Sequence, residues 1–265
     1  LNNSITASRS MTYGKNVNPY QASIAVKYLS RKIKQNNLLN LAHDNFENQL
    51  GYYPRLSKID DERDTTIKMG MTEINNKLEY WIYPKRFISN MFLYVQHNTY
   101  LLNNGDLDER FFILGTQINH KNSAYTSFNA TYLEKNLLFP LEVIKKFELV
   151  PSGNYKGLTY TVVHKTNPRS IIAYETECMY GDYFLGTLLK YTNSLLFRFQ
   201  PNVNMRFDYT IADIRFPEEY GEITYKLLGA QCDVFITKNH IWTVLFQYNT
   251  QKDKMKINSR YQWHY

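Results

Sequence analysis

Hydrophobic and polar residues alternate along most of this chain with a period of two. The last stretch, HIWTVLFQYNTQKDKMKINSRYQWHY (residues 240–265), shows the pattern clearly. Trp242, Val244, Phe246 and Tyr248 fall on one side of an extended backbone, opposed by Ile241, Thr243, Leu245, Gln247 and Asn249. Ile257, Ser259, Tyr261, Trp263 and Tyr265 likewise oppose Asn258, Arg260, Gln262 and His264. Successive side chains of a strand point to opposite faces, so each run predicts a strand with one aromatic-apolar face and one polar face. The charged, turn-rich link TQKDKMK joins them, and the pair predicts a β-hairpin.

The same period recurs upstream. In residues 20–28, Tyr20, Ala22, Ile24, Val26 and Tyr28 oppose Gln21, Ser23, Ala25 and Lys27. In 64–74, Thr65, Ile67, Met69 and Met71 oppose Thr66, Lys68 and Gly70. Residues 123–132 and 204–213 alternate in the same way, and 157–165, 169–180, 195–200 and 223–236 are further strand candidates. NMFLYVQHNTYLL (90–102) and RFFILGTQINH (110–120) are apolar on both faces. Polar links such as LNNGDLDE and FPEEYG separate the runs. The runs predict an all-β chain of about 12–14 strands, each of the ~9–11 residues that a tilted membrane-crossing strand needs.

Helical periodicity is weak everywhere. LFPLEVIKKFEL (138–149) is the best helical candidate and reads equally as a strand pair. Residues 34–63 are less regular and predict a long loop or a broken strand pair. No composition shift marks a domain boundary, so 1–265 reads as a single domain.

Alternation alone fits two architectures. A soluble sandwich turns its apolar faces inward. An antiparallel up-and-down transmembrane β-barrel turns them outward to lipid and lines its lumen with polar groups. Three features favour the barrel. The polar faces mix Asn, Gln, Thr, Ser, Arg and His. Tyr and Trp cluster at run ends (Tyr20 and Tyr28, Tyr125 and Tyr132, Trp242 and Tyr248, Trp263 and Tyr265), as in the aromatic girdles of barrels. The number of runs is large for one sandwich. The competing expectation is a soluble all-β carbohydrate-binding protein with a Tyr-rich binding face.

Composition sharpens this. Aromatic residues make up 15% of the chain, including 23 Tyr, which suits surfaces that are apolar at one end and wet at the other. The net charge of +7 comes from basic residues spread along the chain rather than from a dense block. That distribution argues against nucleic acid as a partner and leaves either background Lys usage or attraction to phosphate-bearing lipid and lipopolysaccharide. Cys178 and Cys232 form no CxxC pair and read as lone thiols on strands. No run of about 18 apolar residues predicts a transmembrane helix, and the first residues lack the signature of a signal peptide.

The sequence offers little catalytic chemistry. None of the six His forms HExxH or an HxH pair, and no GxGxxG, P-loop or EF-hand pattern is present. Asp60, Asp61, Glu62 and Asp64 form an acidic turn that reads as a solvated loop or a divalent-ion site. A non-enzyme with no cofactor and no metal is expected. Arg198, Arg206, Asp208, Asn258, Arg260, Gln262 and His264 are the candidates to line a lumen, where charged pairs brace a barrel or tune selectivity.

Two short motifs carry a resemblance. Gln247-Tyr248-Asn249, a turn, and Asn258-x-Arg260-x-x-Trp263 follow LGYYPR (50–55), with Gly51, Pro54 and Arg55. In this order they resemble an uncharacterised family of bacterial outer-membrane β-barrels found C-terminal to family-9-type carbohydrate-binding modules. The likeness is loose over most of the chain and closer over the C-terminal third. It implies an outer-membrane location, the C-terminal part of a longer barrel protein, and a role in passing glycan-related solutes or anchoring a carbohydrate-binding module. The implied partners are outer-membrane lipid, lipopolysaccharide and saccharides. Family members continue past the Trp-containing strand, whereas this chain stops at Tyr265.

Overall fold

The computed structural model describes residues 2–9, 20–44, 46, 57–60, 63–84, 86–145, 147–250 and 254–263. Its elements are all strands: β1 (Asn2–Arg9), β2 (Tyr20–Leu29), β3 (Ile33–Ala42), β4 (Ser57–Asp60), β5 (Thr65–Lys68), β6 (Met71–Ile82), β7 (Ile88–Leu102) and β8 (Leu107–His120). They continue with β9 (Tyr125–Leu137), β10 (Gly153–Lys165), β11 (Ile172–Tyr183), β12 (Gly186–Phe199), β13 (Val203–Arg215), β14 (Glu222–Thr237), β15 (His240–Asn249) and β16 (Lys254–Trp263).

Fourteen of these strands form one meander, in the order β1-β2-β3-β6-β7-β8-β9-β10-β11-β12-β13-β14-β15-β16, and β4-β5 form a separate two-stranded ribbon. The sheet order starts at β1 and ends at β16, so among the described residues the sheet is open, with two edge strands. The all-β, antiparallel, up-and-down expectation therefore holds, and its strand number falls at the top of the expected range. The chain divides into two compact units. One comprises Leu1–Ile82, Phe92–Thr116 and Asn129–Thr159; the other comprises Tyr83–Met91, Gln117–Phe128 and Tyr160–Tyr265. Strands β7 to β10 contribute residues to both.

Turn chemistry sets the meander. Between β7 and β8, Gly105 takes φ +90° and its N–H donates to Leu102 O at 2.9 Å, a conformation open to Gly without a Cβ penalty. Asn104 Oδ1 accepts the Asp106 N–H at 3.0 Å and fixes the same bend. The β15–β16 hairpin forms where the alternation predicts it, with Trp242 opposite Tyr261, Val244 opposite Ser259 and Phe246 opposite Ile257.

Two sequence expectations change. The described residues of 138–149 form neither a helix nor a strand pair. A single antiparallel bridge, Leu141 to Val150, closes the segment as a loop, with bonds of 2.9 and 3.0 Å. The apolar Ile144 and Val150 are buried within this irregular segment.

The run 64–74 is not one strand. It breaks at Met69-Gly70 into β5 and β6, which belong to different sheets. Gly70 donates its N–H to Asp44 Oδ1 at 2.7 Å, and Asn103 Nδ2 donates to the same oxygen at 2.8 Å. A Cβ on Gly70 would collide with Ala42 O and Asn103 Nδ2 and would lie 2.5 Å from Asp44 N. This anchor sits beside a small core of Ala42, Phe46, Met71 and Tyr100 with Phe111 packed on it.

Candidate functional site

Residues directly opposite across an antiparallel pair share a face of the sheet, so the register assigns faces without ambiguity. In the second unit, Arg198 faces Asn204, Leu196 faces Arg206 and Ser194 faces Asp208. Asp208 faces Gly229, and Gly229 faces Gln247. Gln247 faces Lys256, Leu245 faces Asn258, Thr243 faces Arg260 and Ile241 faces Gln262. Six lumen candidates, Arg198, Arg206, Asp208, Asn258, Arg260 and Gln262, thus lie on one face, which Gln247 and Asn249 share. Tyr248 and Trp263 lie on the opposite face. His264, Gly51, Pro54 and Arg55 lie outside the described residues.

The polar face is the more enclosed one. Ser194, Ala173 and Ile214 are buried on it. The other face carries Leu189, Tyr191, Phe207 and Leu228, which are 39–47% exposed although they sit on interior strands of the sheet. Apolar side chains on a soluble sheet would be the hidden ones. Cys178 and Cys232 are free thiols on this exposed face, as expected of lone thiols on strands.

A polar row ends the apolar band. Asp182 faces Thr187, Thr187 faces Arg215, and Arg215 faces Glu222. Arg215 Nε donates to Asp213 Oδ2 at 2.8 Å, and Thr224 Oγ1 donates to Asp213 Oδ1 at 2.7 Å. From Val203 to Ile211 the positions of β13 on the face of Phe207 stay apolar, a length of about 26 Å along the strand.

The first unit, taken by itself, repeats the inversion. On the face shared by β2, β3 and β6, Gln21 Nε2 donates to Asn40 Oδ1 at 3.1 Å, and Asn40 and Glu73 are both buried. Lys77 pairs with Glu79 at 2.7 Å, and Trp81 Nε1 donates to Glu79 Oε2 at 2.8 Å. Lys34 Nζ lies 3.3 Å from the centre of the Trp81 ring, which stacks on Phe92 at 4.5 Å. The alternate positions Ile24, Leu39 and Leu78 are exposed. On β7, Leu93 and Val95 are exposed, while Tyr94 between them donates to Asn129 Oδ1 at 2.5 Å across Gly115. A Cβ at Gly115 would overlap both the Tyr94 ring and Asn129 Oδ1.

The lumen candidates are not all brought together. Arg206 Nε donates to Asp208 Oδ1 at 2.9 Å and Oδ2 at 3.0 Å, its Nη2 donates to Ser194 Oγ at 3.1 Å, and the Ser194 hydroxyl donates to Asp208. This cluster ties β12 to β13 on that face. Arg198 lines a cavity with Arg206. Asn258, Arg260 and Gln262 stand apart on the edge strand β16.

Sequence reading missed Ser123, Tyr125, Lys165, Glu175 and Ser194. Lys165 and Glu175 form an ion pair on that cavity's wall. Strand parity could have found Glu175, which lies directly opposite Ser194. Tyr125, expected in an aromatic girdle, has Lys165 Nζ 5.8 Å from its ring centre.

The acidic turn is not solvated at Asp60, which is 2% exposed and accepts the Arg63 N–H at 3.2 Å. Asp61 and Glu62 lie outside the described residues. Among the described residues no group of three or more His, Cys, Asp or Glu is placed to hold a metal ion, and no helix is long and apolar enough to cross a membrane.

No protein-family model matches the chain, and no curated protein matches it.

Proposed function

We propose that this chain forms the wall of a bacterial outer-membrane β-barrel, or the C-terminal part of one, and carries no catalytic chemistry. The observation that supports this reading is the inverted sheet: aromatic and aliphatic side chains exposed on one face, and Arg, Asp, Glu, Ser and Asn side chains hydrogen-bonded to one another on the other. In water, an exposed apolar face running across many strands is unfavourable by roughly 25 cal/mol per Å². In lipid the same face is solvated, and the polar face lines an aqueous lumen.

The meander connectivity fits the reading, since every backbone donor and acceptor within lipid needs a strand partner. The reading therefore requires that the edges β1 and β16 be covered when the protein is in lipid. The polar lumen face suits passage of hydrophilic, glycan-related solutes, or a barrel that anchors a carbohydrate-binding module.

The test is refolding with and without detergent, followed by far-UV circular dichroism and by gel migration before and after heating. A β-spectrum with a heat-modifiable band only in detergent or lipid is expected. A monomeric β-protein in plain buffer would overturn the membrane reading and turn attention to the Tyr-rich face as a soluble sugar-binding surface.

A further inference from the structure

The second unit contains a cavity of about 270 Å³ on the polar face of β10 to β13, walled by Ser123, Tyr125, Lys165, Glu175, Arg198 and Arg206 among others. It is smaller than the ~300–1,000 Å³ typical of drug-sized sites, so its occupant is a compact molecule.

Its charges are unequal in how they are used. Lys165 is spent on Glu175. Arg206 is spent on Asp208 and Ser194. The Arg198 guanidinium has no ion-pair or hydrogen-bond partner among the described residues. Its cross-strand neighbour Asn204 does not engage it, and Asn204 Oδ1 is itself buried without a partner there. Lys165 and Arg206 are each held by an acid, Glu175 and Asp208, which leaves Arg198 as the lining cation without an ion pair and its fork of donors open. A planar guanidinium takes a carboxylate through two parallel N–H···O bonds. The Tyr125 ring and the Ser123 hydroxyl, with the Glu175 carboxylate, suit a body bearing C–H faces and hydroxyls.

We infer that this cavity binds the carboxylate of a small hydroxylated solute, a monosaccharide acid in size and chemistry, with Arg198 as the anion-binding residue. A single carboxylate matches the single uncompensated charge, whereas a phosphate dianion exceeds it. The inference stands on the cavity alone and holds whether the opposite face meets lipid or water.

The experiment is isothermal titration of the purified full chain, in whichever medium keeps it folded, with glucuronate, glucose and glucose 6-phosphate as probes. Glucuronate is expected to bind at least about tenfold more tightly than glucose, and R198A to weaken it about tenfold or more. R198K, which keeps the charge and loses the fork, should fall between. K238A, which removes a charge from the exposed β14–β15 turn, should leave binding unchanged. Circular dichroism checks that each variant is folded, and the comparison of glucuronate with glucose on the unaltered chain needs no variant. Equal affinity for glucose and glucuronate, unchanged affinity in R198A, or no binding of glucuronate up to tens of millimolar would each overturn the assignment. Tighter binding of glucose 6-phosphate than of glucuronate would overturn the choice of a carboxylate.

Discussion

Two hairpins of this chain are held in unlike ways in the fold. The β4–β5 ribbon has four-residue strands and sits in the first unit, where Lys58 Nζ reaches Asp108 at 2.6 and 2.7 Å and Asp60 is buried. The β15–β16 hairpin has ten-residue strands in full register, and Ile257 and Trp263 are each 64% exposed. One hairpin is fixed by tertiary anchors and the other by cross-strand pairing alone. Period-two alternation tells where a chain is extended; an anchor decides which sheet it joins.

Breaking the anchors should cost most. Gly70→Val forces a branched side chain into Ala42 O, Asn103 and the Asp44 backbone. It should destabilise the protein by about 3 kcal/mol or more, because backbone rather than a flexible side chain is in the way. The shift of the denaturant midpoint measures it. Lys58→Met leaves the Asp108 carboxylate, 4% exposed, without its cation. That should cost about 2–4 kcal/mol at neutral pH, and most of the loss should disappear in the double variant with Asp108→Asn.

The C-terminal hairpin sharpens the contrast through its surroundings. Ile257→Arg changes a side chain that is 64% exposed, so in water it should change stability by less than about 0.5 kcal/mol. In a bilayer, where the position faces lipid on the proposed reading, the cost should rise to about 2–4 kcal/mol near the midplane. Refolding the variant into liposomes and comparing urea midpoints with the parent separates the two environments. Asp208→Asn should have a smaller effect than the anchor variants, about 1 kcal/mol, because the Arg206 pair is half-exposed and Ser194 stays in reach. A double-mutant cycle with Arg206→Met reads that coupling directly.

These contrasts show what could be read from residues alone. The β15–β16 hairpin, the strands β2, β9 and β13, and the shared face of Arg198, Arg206, Asp208, Asn258, Arg260 and Gln262 follow from parity, since a slip by one residue would move the entire apolar set to the other side. The break at Gly70 does not follow from parity. It depends on Asp44 and Asn103, residues 26 and 33 positions away, whose hydrogen bonds no local pattern announces. The loop at 138–150 deceived the helical period because Ile144 is buried by tertiary packing in an irregular segment. The cavity was half-legible: Arg198 and Arg206 stood out as charges on a polar face, whereas Lys165 and Glu175 meet across strands β10 and β11 and become a pair only in the assembled sheet.

The sheet order also bears on how the chain reaches this state. Every pairing in the large sheet joins strands that follow one another in sequence, except β3 with β6, which skips the ribbon. In most cases a strand can therefore add to the one made just before it, at the small entropic cost of closing a short turn. Closing the excursion of residues 43–70 costs roughly 2 kcal/mol more than closing a turn of a few residues. The step that joins β3 to β6 is thus the slow stitch in an otherwise zipper-like assembly. The contacts of Gly70 with Asp44, made at the mouth of that loop, are placed to hold it once formed.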